Sequence, residues 1–324
     1  MTGDRNRSAE DMSVNLARHR VAVVVPCYNE EAGIAAVVTG FHKALPGAIV
    51  YVYDNNSSDR TAYLARAAGA AVRYEPRQGK GHVVRRMFAD VQADIYVLVD
   101  GDATYDPASA HSMITRLIEE HLDMVVGVRV VCDEAAYRPG HRTGNRLLGG
   151  LVALMFGHVF TDMLSGYRVL SRRFVKSFPV LSDGFEIETE LTVHALQLGL
   201  PAAEVEAPYY ARPGGSNSKL HTWRDGLRIL WTIIQLCKSE RPLPFFGTIG
   251  VVLGVAAIVL AAPIFATYLR EGIVPRLPTA VLSTGLMLLA FLSLACGLVL
   301  ETVTRGRREM KMLAYLGQLA PGDQ

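Results

Sequence analysis

Short apolar runs alternate with amphipathic stretches through residues 20–128. The runs are continuous and rich in β-branched residues, as in RVAVVVP at 20–26, which is typical of strands covered on both faces of a sheet. The strands predicted in this way are 20–26, 48–54, 71–74, 94–100 and 123–128. Helical spacing of apolar positions predicts helices between them, at 30–45, 59–69, 80–91 and 107–121. This alternation predicts an α/β domain with a Rossmann-like, mostly parallel, doubly wound sheet.

Two long uncharged runs dominate the last third of the chain. The first covers 28 residues, 242–269, and the second covers 24 residues, 277–300. A helix rises about 1.5 Å per residue, so either run can cross a hydrocarbon core of about 30 Å. The alternative is a pair of helices buried in a soluble core, but such helices rarely contain so many uncharged residues. The pattern therefore predicts a transmembrane hairpin.

Basic residues flank the predicted hairpin asymmetrically. They are Arg224, Arg228, Lys238 and Arg241 before it and Arg305, Arg307, Arg308 and Lys311 after it, against Arg270 and Arg276 in the link. Positive residues favour the cytoplasmic side of a membrane, so both termini are predicted to be cytoplasmic. Residues 1–20 are polar and contain no apolar signal-peptide core. The part before the hairpin is therefore expected to stay in the cytoplasm, attached to the inner membrane by a multi-pass anchor.

Residues 220–237 form an amphipathic stretch directly before the hairpin. Both tryptophans of the chain, Trp223 and Trp231, fall here, and tryptophan is enriched at membrane interfaces. An interfacial helix on anionic headgroups is the favoured interpretation, and a helix packed on the protein core is the alternative. The organisation predicted for the chain is a flexible segment at 1–19, an α/β domain at 20–218, a juxtamembrane helix at 219–241, two transmembrane helices at 242–301 and a cytoplasmic tail at 302–324.

Composition narrows the class of protein. Half of the 324 residues are apolar, which excludes an intrinsically disordered chain. The net charge is only +2, so no charge excess indicates a nucleic-acid partner. The four cysteines are far apart and form no C-x-x-C, so neither a disulfide framework nor a structural zinc site is expected.

Polar residues follow the predicted strands, at the edge where a doubly wound sheet binds its ligands. Asp54 ends the second strand in a cluster of Asn and Ser and can accept hydrogen bonds from a nucleobase or ribose. Asp100 and Asp102 follow the fourth strand with a glycine between them. This D-x-D lets two carboxylates reach a hard divalent cation, Mg²⁺ or Mn²⁺, that keeps open positions for phosphate oxygens. A solvated turn without a ligand is the alternative.

Glycines around Lys80, in Gly79-Lys80-Gly81, open a predicted helix and are similar to a phosphate cradle. The P-loop pattern G-x-x-x-x-G-K-[ST] is absent. The pattern G-x-G-x-x-G is absent as well, which disfavours a dinucleotide-dependent dehydrogenase.

Six segments occur in an order that resembles glycosyltransferase family two. They are VAVVVPCYNEE, YDNNSSDRT, RQGKG, VDGDATYDP, GVR and DMLSGYRVLSRR. GFEIETEL, RPGGSNSKL and the predicted hairpin are similar to its branch of dolichyl-phosphate mannose synthases and polyprenyl-phosphate glycosyltransferases. The resemblance covers residues 21–241. It implies the GT-A fold and inverting, metal-dependent transfer of one sugar from a UDP- or GDP-hexose.

The resemblance also implies roles in donor binding. Pro26, Tyr28, Glu30 and Asp54 match nucleotide contacts, and Asp100 and Asp102 match metal and diphosphate positions, with Asp102 expected to be catalytic. Lys80, Arg212 and Lys219 are further candidates for the donor phosphates, and membrane-surface charge is the alternative for the last two. Many relatives carry a glutamine metal ligand two residues after the second aspartate. This chain has Thr104 there, so its role as a ligand is in doubt.

The acceptor implied by the resemblance is a polyprenyl phosphate, undecaprenyl or dolichyl, which is anionic at neutral pH and needs no strong base. Arg129 and Arg142 match positions near the acceptor, and the guanidinium fork suits phosphate. Asp162 lies where inverting relatives place a base, and it is expected to be that base or to orient the acceptor or Arg168. The alternating glutamates of FEIETEL, which are Glu186, Glu188 and Glu190, are interpreted as mostly structural, although Glu186 could reach a sugar hydroxyl.

Two other functions keep part of this argument. A glycosyltransferase with a glycan or glycolipid acceptor would share the fold, but the Q-x-x-R-W motif usual in processive synthases is absent around Trp223. A nonenzymatic membrane scaffold that binds nucleotide sugars is disfavoured by the intact D-x-D. The partners expected are therefore a nucleotide sugar, a polyprenyl phosphate and the bilayer. The oligomeric state is left open between a monomer and a homo-oligomer formed through paired hairpins.

Overall fold

The first part of the chain alternates strands and helices much as predicted, in a computed structural model of the protein. The structure describes residues 19–132, 150, 152–153, 157, 160–182, 184, 186–212, 231, 234–235 and 238–319. The strands are β1 (Val21–Cys27), β2 (Ile49–Asp54), β3 (Ala71–Tyr74), β4 (Ile95–Leu98), β5 (Met124–Val131), β6 (Arg168–Ser171) and β7 (Ala202–Tyr209). The helices are α1 (Ile34–Ala44), α2 (Thr61–Ala67), α3 (Lys80–Asp90), α4 (Ser109–Glu119), α5 (Arg172–Ser177), α6 (Ile187–Leu198), α7 (Pro242–Glu271) and α8 (Leu277–Leu316).

One seven-stranded sheet organises the first part, in the order β3-β2-β1-β4-β6-β5-β7. The pairs β1–β2, β1–β4, β2–β3 and β5–β7 are parallel, whereas β6 runs antiparallel to both β4 and β5. The mostly parallel α/β prediction is confirmed. Neither β6 nor β7 was predicted: β6 is only four residues long and opens on a charged residue, Arg168, and two glutamates interrupt the apolar positions of β7.

Burial of the strands explains their uniform apolar composition. Every residue of β1 and of β4 is buried, and one face of α1 covers the sheet with Ile34, Val38 and Phe41. Parallel strands share the edge at which they end, so the residues after β1, β2, β4 and β5 meet at that edge. The first residue of antiparallel β6 reaches it too.

The chain divides into two compact units, which are described separately. Residues 1–226 and 311–324 form the first, and residues 227–310 form the second. Within the first unit, Tyr315 near the end of α8 donates a hydrogen bond to the fully buried Asp123, 2.8 Å away. The ring of Tyr315 also lies 5.0 Å from the Arg173 guanidinium. The region predicted as a tail from residue 302 is therefore helical as far as Leu316.

The second unit contains two helices that are long and apolar enough to cross a membrane, with mean hydropathies of 2.6 and 2.2. Their large apolar side chains face outward: Val251, Leu269 and Phe291 are 66%, 69% and 66% exposed. A core helix of a soluble protein would bury them. The buried positions recur every seven residues, at Gly250, Ala257 and Ile264 on α7 and Ser283, Ala290, Gly297 and Thr304 on α8. This small-residue seam is typical of closely packed membrane helices.

Because His194 on α6 is buried, we expect the protein to lose stability in acid. His194 is 1% exposed, and burial lowers its pKa to about 3. Above the unfolded pKa of about 6.5 the residue is neutral in both states. Between about pH 6.5 and 3 only the unfolded state takes up the proton, so the free energy of unfolding falls by about 1.4 kcal/mol per pH unit. Denaturant unfolding from pH 7 to 4 should show a shallower decline for His194→Gln than for the wild type. Parallel curves would refute the assignment.

Candidate active site

The loops after β1 and β2 are bound to each other by side-chain hydrogen bonds. Asn29 has a left-handed φ of 51°, which asparagine tolerates, and its carboxamide oxygen accepts the Ser58 amide at 2.8 Å. The backbone amide of Asn29 donates to the Ser57 hydroxyl at 2.9 Å. Asp54 is 3% exposed, and its Oδ2 accepts the Ser57 amide at 3.3 Å. The other carboxylate oxygen of Asp54 is buried and has no hydrogen-bond donor among the described residues, so a ligand group can satisfy it.

Asn55 holds the segment that leads into α3. Its side-chain amide donates to the carbonyls of Glu75 and Arg77 at 2.9 and 2.7 Å, and its oxygen accepts the Gly79 amide at 2.8 Å. Sequence reasoning treated this residue as part of a turn cluster only. The Asn-Ser richness after β2 was the signal, but it does not identify which member binds the distant segment.

The D-x-D turn follows β4 and brings Asp102 into a buried position. Its Oδ1 accepts the Thr104 hydroxyl at 2.6 Å, and its Oδ2 lies 2.7 Å from the Arg212 guanidinium. A Cβ at Gly33 would lie 2.9 Å from the Asp102 carbonyl carbon, so the backbone of the turn requires glycine there. Thr104 therefore orients Asp102 through its hydroxyl, and Arg212 balances its charge.

The second acidic residue, Asp100, is paired with Lys80. The ammonium donates to Asp100 Oδ1 at 2.5 Å and also to the Glu188 carboxylate on α6. Burial alone would lower the pKa of Lys80, but the two carboxylates raise it above its ordinary value. Burial raises the pKa of Glu188. Lys80 and Glu188 are each 7% exposed, whereas Asp100 is 32% exposed and is the carboxylate that a ligand can reach.

The carboxylate oxygens of Asp100 and Asp102 are suitable ligands for a divalent cation. Both acidic side chains present hard oxygens, and each already lies against a cationic group of the chain itself, from Lys80 or Arg212. Within the described part of the chain no three His, Cys, Asp or Glu side chains converge into a metal-binding group. Mg²⁺ and Mn²⁺ are commonly bound by one or two carboxylates with phosphate oxygens completing the shell. Asp100 and Asp102 are the residues that would hold such an ion together with a phosphorylated ligand.

An ion pair between Arg129 on β5 and Asp162 lies near the end of that strand, and we call these two side chains the basic seat. The Arg129 guanidinium binds the Asp162 carboxylate through two hydrogen bonds of 2.6 and 2.7 Å. Burial alone would raise the pKa of Asp162, but these bonds and the positive charge hold it below its ordinary value. Glu204 on β7 fixes the segment by accepting the Thr161 amide at 2.7 Å and the Asp162 amide at 3.2 Å. The seat is therefore held from two strands.

Aromatic side chains connect the seat with the acidic pair. The Arg129 guanidinium lies 5.7 Å from the centre of the Tyr209 ring, and that ring lies 5.1 Å from the Tyr105 ring. The Tyr105 hydroxyl accepts the Gly166 amide at 2.9 Å. Gly166 in turn packs directly on the Asp100 carboxylate. The donor-side and acceptor-side candidates therefore border one patch.

The structure brings most of the predicted site residues to this edge of the sheet. Pro26 and Tyr53 are register partners, Tyr28 is 37% exposed, and the Glu30 amide donates to the Thr61 hydroxyl at 2.8 Å. The predictions for Arg142 and Lys219 lie outside the described residues. Asp162 was expected to be a base or to orient the acceptor or Arg168, but its carboxylate binds Arg129, a contact that the sequence did not predict. Arg168 instead donates to the carbonyls of the segment before it and to α6.

Gly166→Ala is expected to lower activity by about 100-fold, since displacing a reacting group by about 1 Å has effects of this size. A Cβ at residue 166 would lie 2.2 Å from Asp100 Oδ2, so the carboxylate has to move. The measurement is the rate of the sugar transfer that the sequence predicts, at saturating Mn²⁺. Gly47→Ala is the control, because a Cβ there meets no atom within 4 Å. Equal rates for the two variants would contradict this account.

Comparison with known proteins agrees with the fold. The model of "Glycosyl transferase family 2" matches residues 22–178. Glycosyltransferase AglJ of Haloferax volcanii is 37% identical over 236 residues, which cover 71% of this chain and 76% of that protein. A dolichyl-phosphate hexose transferase of the same organism is 28% identical over 221 residues, covering 68% and 95%.

A solved structure shares the fold. It is the Mycobacterium tuberculosis glucosyl-3-phosphoglycerate synthase in complex with Mn²⁺, UDP-glucose and phosphoglyceric acid, with a TM-score of 0.57 and 24% identity over 71% of this chain and 82% of that one. The GT-A prediction is confirmed by this likeness and by the sheet. The chain belongs to glycosyltransferase family 2, and it is a glycosyltransferase.

Proposed function

We propose that the protein is a membrane-anchored, inverting glycosyltransferase that moves one hexose from UDP- or GDP-hexose to a polyprenyl phosphate with the help of Mg²⁺ or Mn²⁺. The observation that carries the proposal is the Arg129–Asp162 seat beside the acidic pair, in a chain with two apolar helices. The relative named dolichyl-phosphate hexose transferase supports the acceptor. A lipid of many carbons leaves the bilayer at a cost of about 0.8 kcal/mol per CH₂, so an anchored enzyme suits it.

The donor side of the proposal uses the residues at the ends of β1, β2 and β4. Asp54 has a buried oxygen available to a nucleoside, and Asp100 and Asp102 would hold the cation. A divalent cation neutralises the negative charge that develops on the diphosphate as its bond to the sugar breaks. Arg212 is adjacent, on Asp102, and can contact the same phosphates. Lys219 has the same proposed role.

On the acceptor side, Arg129 binds the lipid phosphate and aims one of its oxygens at the anomeric carbon. That oxygen forms the new bond to carbon while the bond from carbon to the diphosphate breaks, and the electron pair leaves on the nucleoside diphosphate. The attacking phosphate is already anionic, so no proton has to be removed. A carboxylate whose pKa is held low is a weak base, which favours Asp162 as the group that orients Arg129. Arg142 is proposed to assist at the same phosphate.

The decisive test supplies labelled UDP- and GDP-hexoses with undecaprenyl phosphate and Mn²⁺ to the full-length protein in detergent or bilayers. Label extracted into the organic phase as a monophosphate-linked lipid is the expected result. Label found only in water-soluble or glycan products would overturn the lipid acceptor and favour a glycan acceptor. Protease accessibility in sealed vesicles tests the proposed cytoplasmic position of both termini.

A further inference from the structure

Lys80 lies beside the acidic pair and contacts two carboxylates from different elements, Asp100 and Glu188. It begins α3, Asp100 follows β4, and Glu188 lies on α6, 108 residues further along the chain than Lys80. The two carboxylates differ in access, since Asp100 is 32% exposed and Glu188 is 7% exposed. Of the two carboxylates that Lys80 contacts, Asp100 is therefore the one more open to a ligand from solvent.

A cation bound to Asp100 would repel the Lys80 ammonium, which contacts the same carboxylate. The Lys80 nitrogen lies 2.5 Å from Asp100 Oδ1, so a divalent ion on that oxygen would repel it at short range. A buried ammonium that loses its counter-charge is strongly destabilised. Because Glu188 is a second acceptor, Lys80 can release Asp100 and remain paired.

We infer that Glu188 is a positioning residue of the donor site. When Asp100 binds the divalent cation of the donor complex and releases Lys80, Glu188 keeps the Lys80 ammonium paired and in place. This inference rests on the proposed function for the identity of that cation. Lys80 then stays beside the diphosphate as a fixed positive charge. Glu188 acts on the donor site only through its contact with Lys80, and it contacts neither the sugar nor the acceptor.

The backbone around Glu188 is fixed firmly enough for this role. Arg168 is fully buried and donates to the Glu188 carbonyl at 3.0 Å, and the Thr192 hydroxyl donates to the same carbonyl at 3.1 Å. Arg168 also binds the carbonyls of Met163 and Ser165 at 2.8 and 3.1 Å. Helix α6 is thereby joined to the segment that packs on Asp100, so the distance between the two carboxylates is set by the fold.

Glu190 provides a matched control on the same helix. Its carboxylate accepts the amides of Leu181 and Ser182, both at 2.9 Å, and the Ser182 hydroxyl at 2.6 Å. Glu190→Gln therefore removes the same charge two residues away and disturbs a loop, with no loss of a Lys80 contact. A purely structural or long-range charge effect would appear in both variants.

The test measures Mn²⁺ binding by calorimetry to the full-length protein in detergent, with UDP or GDP present and no acceptor. Glu188→Gln should raise the dissociation constant of Mn²⁺ about ten-fold, and Glu190→Gln should leave it within about two-fold of the wild type while lowering the melting temperature. Melting curves establish that each variant is folded.

A double-mutant cycle separates action through Lys80 from direct action on the metal. In a Lys80→Met background, Glu188→Gln should change the Mn²⁺ constant by less than about two-fold, because no ammonium remains to be retained. An equal loss in both backgrounds would overturn the inference, as would equal behaviour of the two glutamate variants or no Mn²⁺ binding by the wild type. Since no lipid takes part, a failed transfer to polyprenyl phosphate would sink the proposed acceptor and leave this result standing.

Discussion

Asp102→Asn is expected to lower the rate of sugar transfer by about 1,000-fold or more, which is the size of effect seen when charge stabilisation of a leaving group is lost. The asparagine keeps an oxygen that can accept the Thr104 hydroxyl, so the turn retains its shape while the negative charge is removed. The Mn²⁺ dissociation constant should rise in parallel. The measurement is the initial rate with labelled donor over a Mn²⁺ series that reaches saturation.

Asp106→Asn is the matched control for this variant. Asp106 lies four residues further along the same segment, where its carboxylate accepts the Ala108 amide at 3.2 Å and the Ser109 hydroxyl at 3.3 Å at the start of α4. Weakening these two hydrogen bonds should cost about 1 kcal/mol of stability, and transfer should stay within about two-fold of the wild type. Transfer by Asp102→Asn within ten-fold of the wild type would remove the metal role from this carboxylate.

Arg129→Gln is expected to raise the apparent KM for the lipid phosphate by about 10- to 100-fold, because hydrogen bonds to charged groups contribute about 1.5–3 kcal/mol. The KM for the nucleotide sugar should change by less than about three-fold. Asp162→Asn should raise the same lipid constant, since a neutral partner no longer holds the guanidinium by two charge-assisted bonds. Steady-state kinetics with each substrate varied in turn provide the measurement.

The double variant Arg129→Gln/Asp162→Asn decides between the two roles of Asp162. It leaves no unpaired charge in the buried seat, so it also controls for misfolding. If Asp162 orients Arg129, its loss adds little once Arg129 is gone. A general base would show itself by a fall in kcat of about 100- to 10,000-fold in either background.

Much of the fold follows from local patterns. The β1 run is buried on both faces, and a continuous apolar stretch reports that directly, so its predicted and observed bounds differ by one residue. The predicted strand 71–74 agrees with β3 at both ends. Helix ends were predicted less well. The helix predicted at 30–45 starts at Ile34, because the residues before it form a turn in which the amides of Gly33 and Ile34 donate to the Glu30 carbonyl. Turn and helix share those hydrogen bonds, and spacing alone does not distinguish them.

Candidate site residues were easier to find than their partners. Asp54, Asp100 and Asp102 are recognisable because each ends or closely follows a predicted strand, at the edge where a doubly wound sheet binds its ligands. Glu188 was interpreted only as one of three alternating glutamates on a helix, most of them structural. Its burial depends on where α6 packs, and α6 is held there by the Arg168 side chain, which donates to the Glu188 carbonyl and to the Thr192 hydroxyl on that helix.

The amino-acid sequence by itself determined the alternation of strands and helices, the acidic pair at a strand end and the two apolar helices. Each of these depends on neighbours within a few residues or on the spacing of apolar positions. The tertiary structure decided which charges meet: Lys80 with Glu188, Arg129 with Asp162 and Arg212 with Asp102. It also placed antiparallel β6 between β4 and β5. These pairings join segments that are far apart in the chain, and their partners are selected by packing of the whole sheet, which no local pattern encodes.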